Sequence, residues 1–196
     1  MPLEPVTLEG RWVRLEPLGH HHAADLAAVA GDAEIWRYLP AELMTIEQIR
    51  AWVDDALAQQ AAGVVLPFAI VDRMAGRAIG STRYLAIVPK DRGIEIGWTW
   101  LARRAWRTAV NSECKYLLLR HAFETLGCIR VQLKTDRRNE RSRRAIERLG
   151  AQFEGILRQH MVLRDGTYRD TAMYSIIDTE WPTVKARLAA ALYGDG

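Results

Sequence analysis

Glu95 sits inside an alternating run, Ile94, Glu95, Ile96, Gly97, Trp98, Thr99, Trp100, so a strand here would turn its carboxylate away from the apolar row. A carboxylate so placed can accept a proton from a reacting group, or it can be a structural glutamate held by its neighbours. A basic loop over 102–110 follows and runs into a helix whose pattern begins near Asn111. A loop that ends on a helix N-terminus beside parallel strands is a place to hold a phosphate-bearing cofactor. The backbone N–H groups of Arg107, Thr108, Ala109, Val110 and Asn111 would face the phosphates, with Arg104 or Arg107 adding charge; an ordinary basic surface loop is the alternative. Further on, Asn139 reads as a helix N-cap with Ser142 in the first turn, and capping alone would account for both. Around them lie Lys134, Arg137, Arg138, Arg141, Arg143, Arg144 and Arg148, mixed with Asp136, Glu140 and Glu147. That cluster reads as a phosphate clamp, a nucleic-acid surface or a solvated helix face. It lacks the interleaved aromatics that stack on bases, which counts against nucleic acid.

The elements that must position these residues follow from periodicity. A strand spans Arg11 to Pro17, with Val13 and Leu15 on one face. An alanine-rich helix spans His20 to Ala30 and stops at Gly31. A second helix starts after Thr45, with Gln48 at capping-box spacing, and ends near Gly63. Strands follow at Phe68 to Asp72, Arg77 to Val88 and 92–101, then the helix 111–126 ended by Gly127, and a strand of Ile129, Val131 and Leu133. A helix from Asn139 to Leu149 precedes two strands, Gln152 to Leu163 and Thr167 to Ile177, joined at Asp165-Gly166, and a last helix follows Trp181-Pro182. The strand–helix–strand segment 92–135 implies one parallel, right-handed crossover among antiparallel hairpins. The expected fold is α/β of the α+β type: a mixed, mostly antiparallel sheet with one parallel β-α-β unit and helices on both faces.

With 196 residues, 49% of them apolar, the chain fits one domain over 1–196 with a real core. A net charge of +3 favours anionic ligands only weakly. No apolar run approaches a membrane span and no signal peptide is read at the N-terminus, so the expected compartment is the cytoplasm, with no membrane partner. Cys114 and Cys128 flank the helix, roughly 20 Å apart by helical rise, too far for a disulfide. The consecutive His20, His21 and His22 would point in three directions on a helix, so no metal site is expected.

The order and the motifs resemble the GNAT acyltransferases, and within them the ribosomal-protein N-acetyltransferase-like branch. The resemblance runs from Leu8-Glu9-Gly10-Arg11-Trp12-Val13-Arg14-Leu15 to Tyr174-Ser175-Ile176. It is carried by Glu95-Ile96-Gly97-Trp98, Asn111-Ser112-Glu113-Cys114-Lys115, Asn139-Glu140-Arg141-Ser142, Leu149-Gly150-Ala151 and Arg169-Asp170. It implies acetyl-CoA as co-substrate, held by a loop of the form Gln/Arg-x-x-Gly-x-Gly/Ala, here Arg104-Ala105-Trp106-Arg107-Thr108-Ala109. Arg107 stands at the glycine position, where it is expected to keep a negative φ with its side chain turned from the phosphates. The resemblance gives Glu95 the role of base for an amine acceptor and sets Asn139 against the pantetheine arm. It brings the Ser142 hydroxyl to the departing thiolate, since Ile146 occupies the position of the usual tyrosine. Backbone groups near Trp98 to Trp100 would pair with the arm like an extra strand, while the Trp98 and Trp100 side chains either line the acceptor tunnel or fill the core. The implied activity is acetyl transfer to a primary amine, of a protein N-terminus or a small molecule. A non-catalytic acyl-CoA-binding module and a nucleic-acid-binding protein are the alternatives. A second copy could pair along Thr167 to Ile177 as a homodimer.

Overall fold

A computed structural model describes residues 4–194. Its sheet has eight strands: β1 (Leu8–Glu9), β2 (Val13–Pro17), β3 (Leu66–Asp72), β4 (Arg77–Val88), β5 (Gly93–Leu101), β6 (Arg130–Asp136), β7 (Gln152–Val162) and β8 (Tyr168–Ile177). They are ordered β1-β2-β3-β4-β5-β6-β8-β7, and every neighbouring pair is antiparallel except β5–β6. The helices are α1 (Ala23–Ala30), α2 (Ala33–Trp36), α3 (Ile46–Ala61), α4 (Ala109–Arg120), α5 (Glu140–Leu149) and α6 (Trp181–Tyr193).

Each face of the sheet buries its own apolar set. On one side Leu26, Trp36, Ile49 and Val53 of α1–α3 meet Ala69, Val71, Ala78 and Trp100. On the other, Leu117 and Leu118 of α4, Ile146 and Leu149 of α5 and Leu188 of α6 meet Val13, Leu15, Phe68, Ile70, Ile94 and Ile96. This is the mixed sheet with helices on both faces that the alternation implies. Thr45 caps α3 as its spacing requires: Thr45 Oγ1 accepts from Gln48 N at 3.3 Å, and Gln48 Oε1 accepts from Thr45 N at 3.0 Å.

Several expectations need correction. The helix after the loop starts at Ala109, two residues before Asn111, because Thr108 caps it by accepting from Val110 N at 3.3 Å. It ends as an α-helix at Arg120 and continues as a π-turn over His121–Thr125. His20–His22 is a 3₁₀ turn ahead of α1, and the short β1 and α2 are additional. The largest difference is in β5. Its alternation does not keep one face, because Ser81 pairs with Trp100 while Arg83 pairs with Gly97, so β5 carries an extra residue. This bulge, with Trp98 at φ 50, sends Ile94 and Ile96 into the α4-side core and Trp100 into the α1–α3-side core.

Candidate active site

The parallel pairing of β5 and β6 covers three residue pairs, Gly93–Arg130, Ile94–Val131 and Glu95–Gln132, and stops there. Both strands continue, β5 to Leu101 and β6 to Asp136, so beyond Glu95 they diverge and leave facing backbone edges unpaired. The wedge between them opens into a cavity of about 300 Å³. Its walls are β5 from Glu95 to Leu101, β6 from Leu133 to Thr135, the loop before α4, and the first turns of α4 and α5.

Glu95 sits at the vertex and is 1% exposed. Its Oε2 accepts from Gln132 Nε2 at 2.8 Å and pairs with Lys134 Nζ at 3.1 Å. Its Oε1 takes no protein hydrogen bond among the described residues and lies over Gly97, where a Cβ would stand 2.9 Å from it. One oxygen is therefore held in place and the other is left to accept from a ligand. Gly97 is glycine because the Glu95 carboxylate and the Leu85 side chain fill the space a Cβ would take.

The loop is tied down by its own polar groups. Trp106 Nε1 donates to Leu101 O at 2.9 Å, and Thr108 Oγ1 donates to Ala105 O at 2.7 Å. Arg107 has φ 61, a left-handed conformation that glycine adopts without strain, so the expectation of a negative φ does not hold. The backbone keeps the shape glycine would give it, and arginine bears a strain of about 1–2 kcal/mol to do so. The Arg107, Thr108 and Asn111 side chains reach the cavity; Arg104 is exposed on the outer side of the loop, and Ala109 and Val110 contribute backbone at the helix start. With Val110 N capped by Thr108, the remaining first-turn N–H groups of α4 have no helical acceptor.

At the other wall, Asn139 Oδ1 accepts from Ser142 N at 3.1 Å, capping α5, and Asn139, Ser142 and Ile146 all line the cavity. Trp98 lines it as well, while Trp100 contributes mainly its backbone edge, its ring being buried against Trp36 and Trp52. Three arginines of the basic cluster are paired with carboxylates: Arg138 with Asp136, Arg137 with Asp170, Arg144 with Glu140. Arg141 lies 3.6 Å from the Trp106 ring centroid at the cavity rim.

Sequence reasoning missed two cavity residues. Lys115 is buried on α4, where its Nζ donates to Thr99 Oγ1, which in turn bonds Thr82 Oγ1 at 2.8 Å. No carboxylate pairs with it among the described residues, and burial lowers its pKa. Arg169 on β8 is also buried; its Nε donates to Thr171 Oγ1 at 3.0 Å. A signal for Lys115 was present: it falls four residues after Asn111, on the same helix face. In all, six cations (Arg107, Lys115, Lys134, Arg141, Arg148, Arg169) line the cavity against the single carboxylate of Glu95. Such a cleft fits an anionic ligand, and its two free strand edges fit an amide-bearing chain laid between them.

The structure also brings Glu16 to His21 and His22, with ligand-type atoms within 4.8 Å of one another, a cluster the sequence reading did not foresee. His22 Nδ1 accepts from Gly19 N at 3.1 Å, so its Nε2 carries the proton and donates to Glu16 Oε2 at 3.2 Å. His22 is satisfied by these hydrogen bonds, with no ring lone pair left over.

A diverging parallel pair with a helix N-terminus at its mouth defines a class of acyl-CoA-dependent acyltransferases, and the comparisons agree. Residues 13–152 match the family model "Acetyltransferase (GNAT) domain". The chain belongs to the GNAT acetyltransferase family. It is 31% identical over 166 residues to the N-acetyltransferase YoaA of Bacillus subtilis (strain 168), covering 83% of this chain and 92% of that protein. The crystal structure of an acetyltransferase from T. thermophilus superposes with a TM-score of 0.89 at 42% identity, over 98% of this chain and 100% of that one. Mycobacterium smegmatis RimJ, solved in complex with CoA-disulfide, superposes with a TM-score of 0.83 over 95% of each chain; at 22% identity it speaks to the fold alone. Enzymes of this family use acetyl-CoA as co-substrate. Among the described residues, no helix is long and apolar enough to cross a membrane.

Proposed function

We propose that this chain transfers the acetyl group of acetyl-CoA to a primary amine at the vertex of the β5–β6 wedge. The carrying observation is the buried Glu95 with one oxygen fixed by Gln132 and Lys134 and the other free, at the point where the strands part. The thioester supplies an activated acetyl group; the residues of the chain do the rest. The first turn of α4, with Arg107 and Thr108 beside it, receives the diphosphate. The unpaired edge from Ile96 to Trp100 pairs with the pantetheine arm, and Asn139 faces that arm from α5. At the bulge around Trp98 a backbone N–H outside the ladder polarises the thioester oxygen. Glu95 Oε1 takes a proton from the amine nitrogen as it attacks the thioester carbon, and as the C–S bond breaks the Ser142 hydroxyl donates to the departing sulfur. The amine enters beside Tyr38, Leu39, Pro40 and Met161, the segment after α2 and the β7–β8 side of the cavity.

Excess cationic charge at the wedge favours this reading over a nucleic-acid surface, because Arg137, Arg138 and Arg144 of the basic cluster are already paired with carboxylates. A test joins calorimetry with acetyl-CoA to turnover of an amine panel. Glu95→Gln is expected to lower kcat by about 10²-fold or more while acetyl-CoA affinity stays within a few-fold. Undiminished turnover in that variant would remove Glu95 as the base, and tight binding with no turnover in the unmodified protein would make the chain a binding module.

A further inference from the structure

Arg83 is the buried charge that this chemistry leaves unexplained. It lies on β4, 2% exposed, and its Nε and Nη2 have no hydrogen-bond partner among the described residues. Its guanidinium is sandwiched between two tryptophans, with Cζ 5.2 Å from the Trp52 ring centroid and 5.0 Å from that of Trp98. No carboxylate forms an ion pair with it among the described residues; Asp55, one turn beyond Trp52 on α3, is the acid that acts on it from a distance. Burial nonetheless pushes its pKa down only to about 10, so it is charged at neutral pH. A second orphan donor belongs to the same cluster: Trp100 Nε1 is buried without a partner, and its ring meets the edge of Trp52 at a centroid separation of 6.2 Å. Unsatisfied buried donors are rare, and each costs free energy unless an acceptor arrives. Two of these donors belong to one cation and the third is an N–H on a ring packed against the same Trp52, so the missing acceptor is an anion, and a planar carboxylate suits the edge of a guanidinium.

The position of this cluster ties it to the catalytic wedge. Arg83 is the cross-strand partner of Gly97, and Leu85 is the partner of Glu95. Arg83 and Glu95 are thus diagonal neighbours on the α1–α3 side of one ladder, about 7–8 Å apart at Cβ. Gly97 lies between them without a side chain. Trp98 is the lid: one side of its environment is the cavity, the other is the Arg83 guanidinium, and its backbone sits at φ 50, a strained setting for an aromatic residue.

We propose that Arg83, with Trp100 Nε1, forms an anion subsite for the acceptor, so that the preferred substrate is an amine bearing a carboxylate, its amine directed to Glu95 and its carboxylate received behind Trp98. This rests on the acetyl-transfer reading for the amine end, while the anion subsite stands on its own geometry. An amine and a carboxylate carried on one short chain would meet both groups at once. That chemistry occurs in free amino carboxylates and in polypeptides that begin with an acidic residue. The tryptophans also report on it, since Trp98 must move for the carboxylate to reach Arg83.

The test compares ω-amino carboxylates from glycine to 5-aminopentanoate with their carboxamides, and tripeptides beginning with Asp or Glu with those beginning with Asn or Gln. Binding is read by tryptophan fluorescence in the presence of CoA, and turnover with acetyl-CoA. The expected result is a preference of about tenfold or more for the carboxylate in at least one pair, in binding and in kcat/KM. Which arm shows it tells free amino acid from peptide terminus. In Arg83→Gln the preference collapses towards one; in Arg83→Lys, which keeps the charge but not the planar fork, it falls at least severalfold. Equal affinity for carboxylate and carboxamide across every pair in the unmodified protein overturns the proposal without needing any variant to fold. So does a preference that survives in folded Arg83→Gln. Selective binding of carboxylates without acetylation would leave the anion subsite standing and sink the acetyl-transfer reading instead.

Discussion

Lys115 and Arg83 share a trait that hides them in a sequence: each is one charged residue within an element whose pattern already explains itself. Arg83 lies within Arg77–Val88, which reads simply as a strand, and Lys115 lies in the second turn of a helix where one lysine is ordinary. Their roles come from burial, which a local pattern does not report. Glu95 was legible as the one charged residue on the non-apolar phase of a clean alternation; its fixed partners, Gln132 and Lys134, belong to another strand and were not. For Lys115 the physical consequence is direct. A buried lysine held by the Thr99 hydroxyl faces the cavity proposed for acetyl-CoA, where an anionic ligand would stabilise its charged form. Lys115→Met is expected to weaken acetyl-CoA about tenfold. A short acetyl-pantetheine thioester lacking the nucleotide should bind nearly as before. Calorimetry with both ligands checks this, and equal losses for the two would assign Lys115 a purely structural tie to β5.

The elements were readable where they were long and periodic. The crossover, the hairpins and the capped α3 and α5 all follow from spacing and end signals. The β5 bulge was not, because an inserted residue leaves the letters alternating while the backbone turns them to opposite faces; Ile96 and Trp100 look alike in sequence and lie in different cores. The two-residue β1 and four-residue α2 are too short to carry a period. Glu113 shows how one element fastens another. From α4 its carboxylate accepts from the backbone N–H groups of Arg11, at 2.6 Å, and of Trp12 and Val13, each at 2.8 Å. It also accepts from Tyr193 OH at 2.8 Å, joining the β1–β2 turn, α4 and α6. Gly10 must be glycine there, since a Cβ would come within 2.5 Å of the carboxylate. Glu113→Ala strands these donors and is expected to cost about 3 kcal/mol or more, read from the shift in urea midpoint. A loss under about 0.5 kcal/mol would show that water replaces the carboxylate at no cost.

At the scale of the whole molecule, pH acts through buried histidines. Burial lowers the pKa of His22, against the opposing pull of its Glu16 hydrogen bond, and burial alone lowers that of His121. Both therefore take up a proton less readily when folded than in the unfolded chain, where they protonate near about 6.5. The unfolded state binds more protons below that value, so their contribution is complete above it and declines as pH falls through it. Asp136 and Glu154 work in the acid range instead. Burial would raise Asp136, but its bonds from Arg138 outweigh that and leave it low; Glu154 is lowered first by Arg130. Their support is kept until about pH 4 and lost below it. Thermal midpoints are expected to drop by a few degrees between about pH 7.5 and 5.5, and His121→Leu should flatten that slope. An unchanged slope in the variant would exclude His121 as its source. Net charge of +3 hinted at an anionic partner only faintly; the folded chain brings six cations and one carboxylate to a single wedge, and no sum over the sequence conveys that.

The sheet is joined across its middle by only three residue pairs of β5 and β6. Five strands and three strands thus form two half-sheets sharing a narrow seam, and the seam ends at Glu95. A ligand lying along the open edges acts as mortar between the halves, so occupancy and rigidity rise together. When the acyl donor leaves, the molecule loosens along the very line where its next partner must slide in.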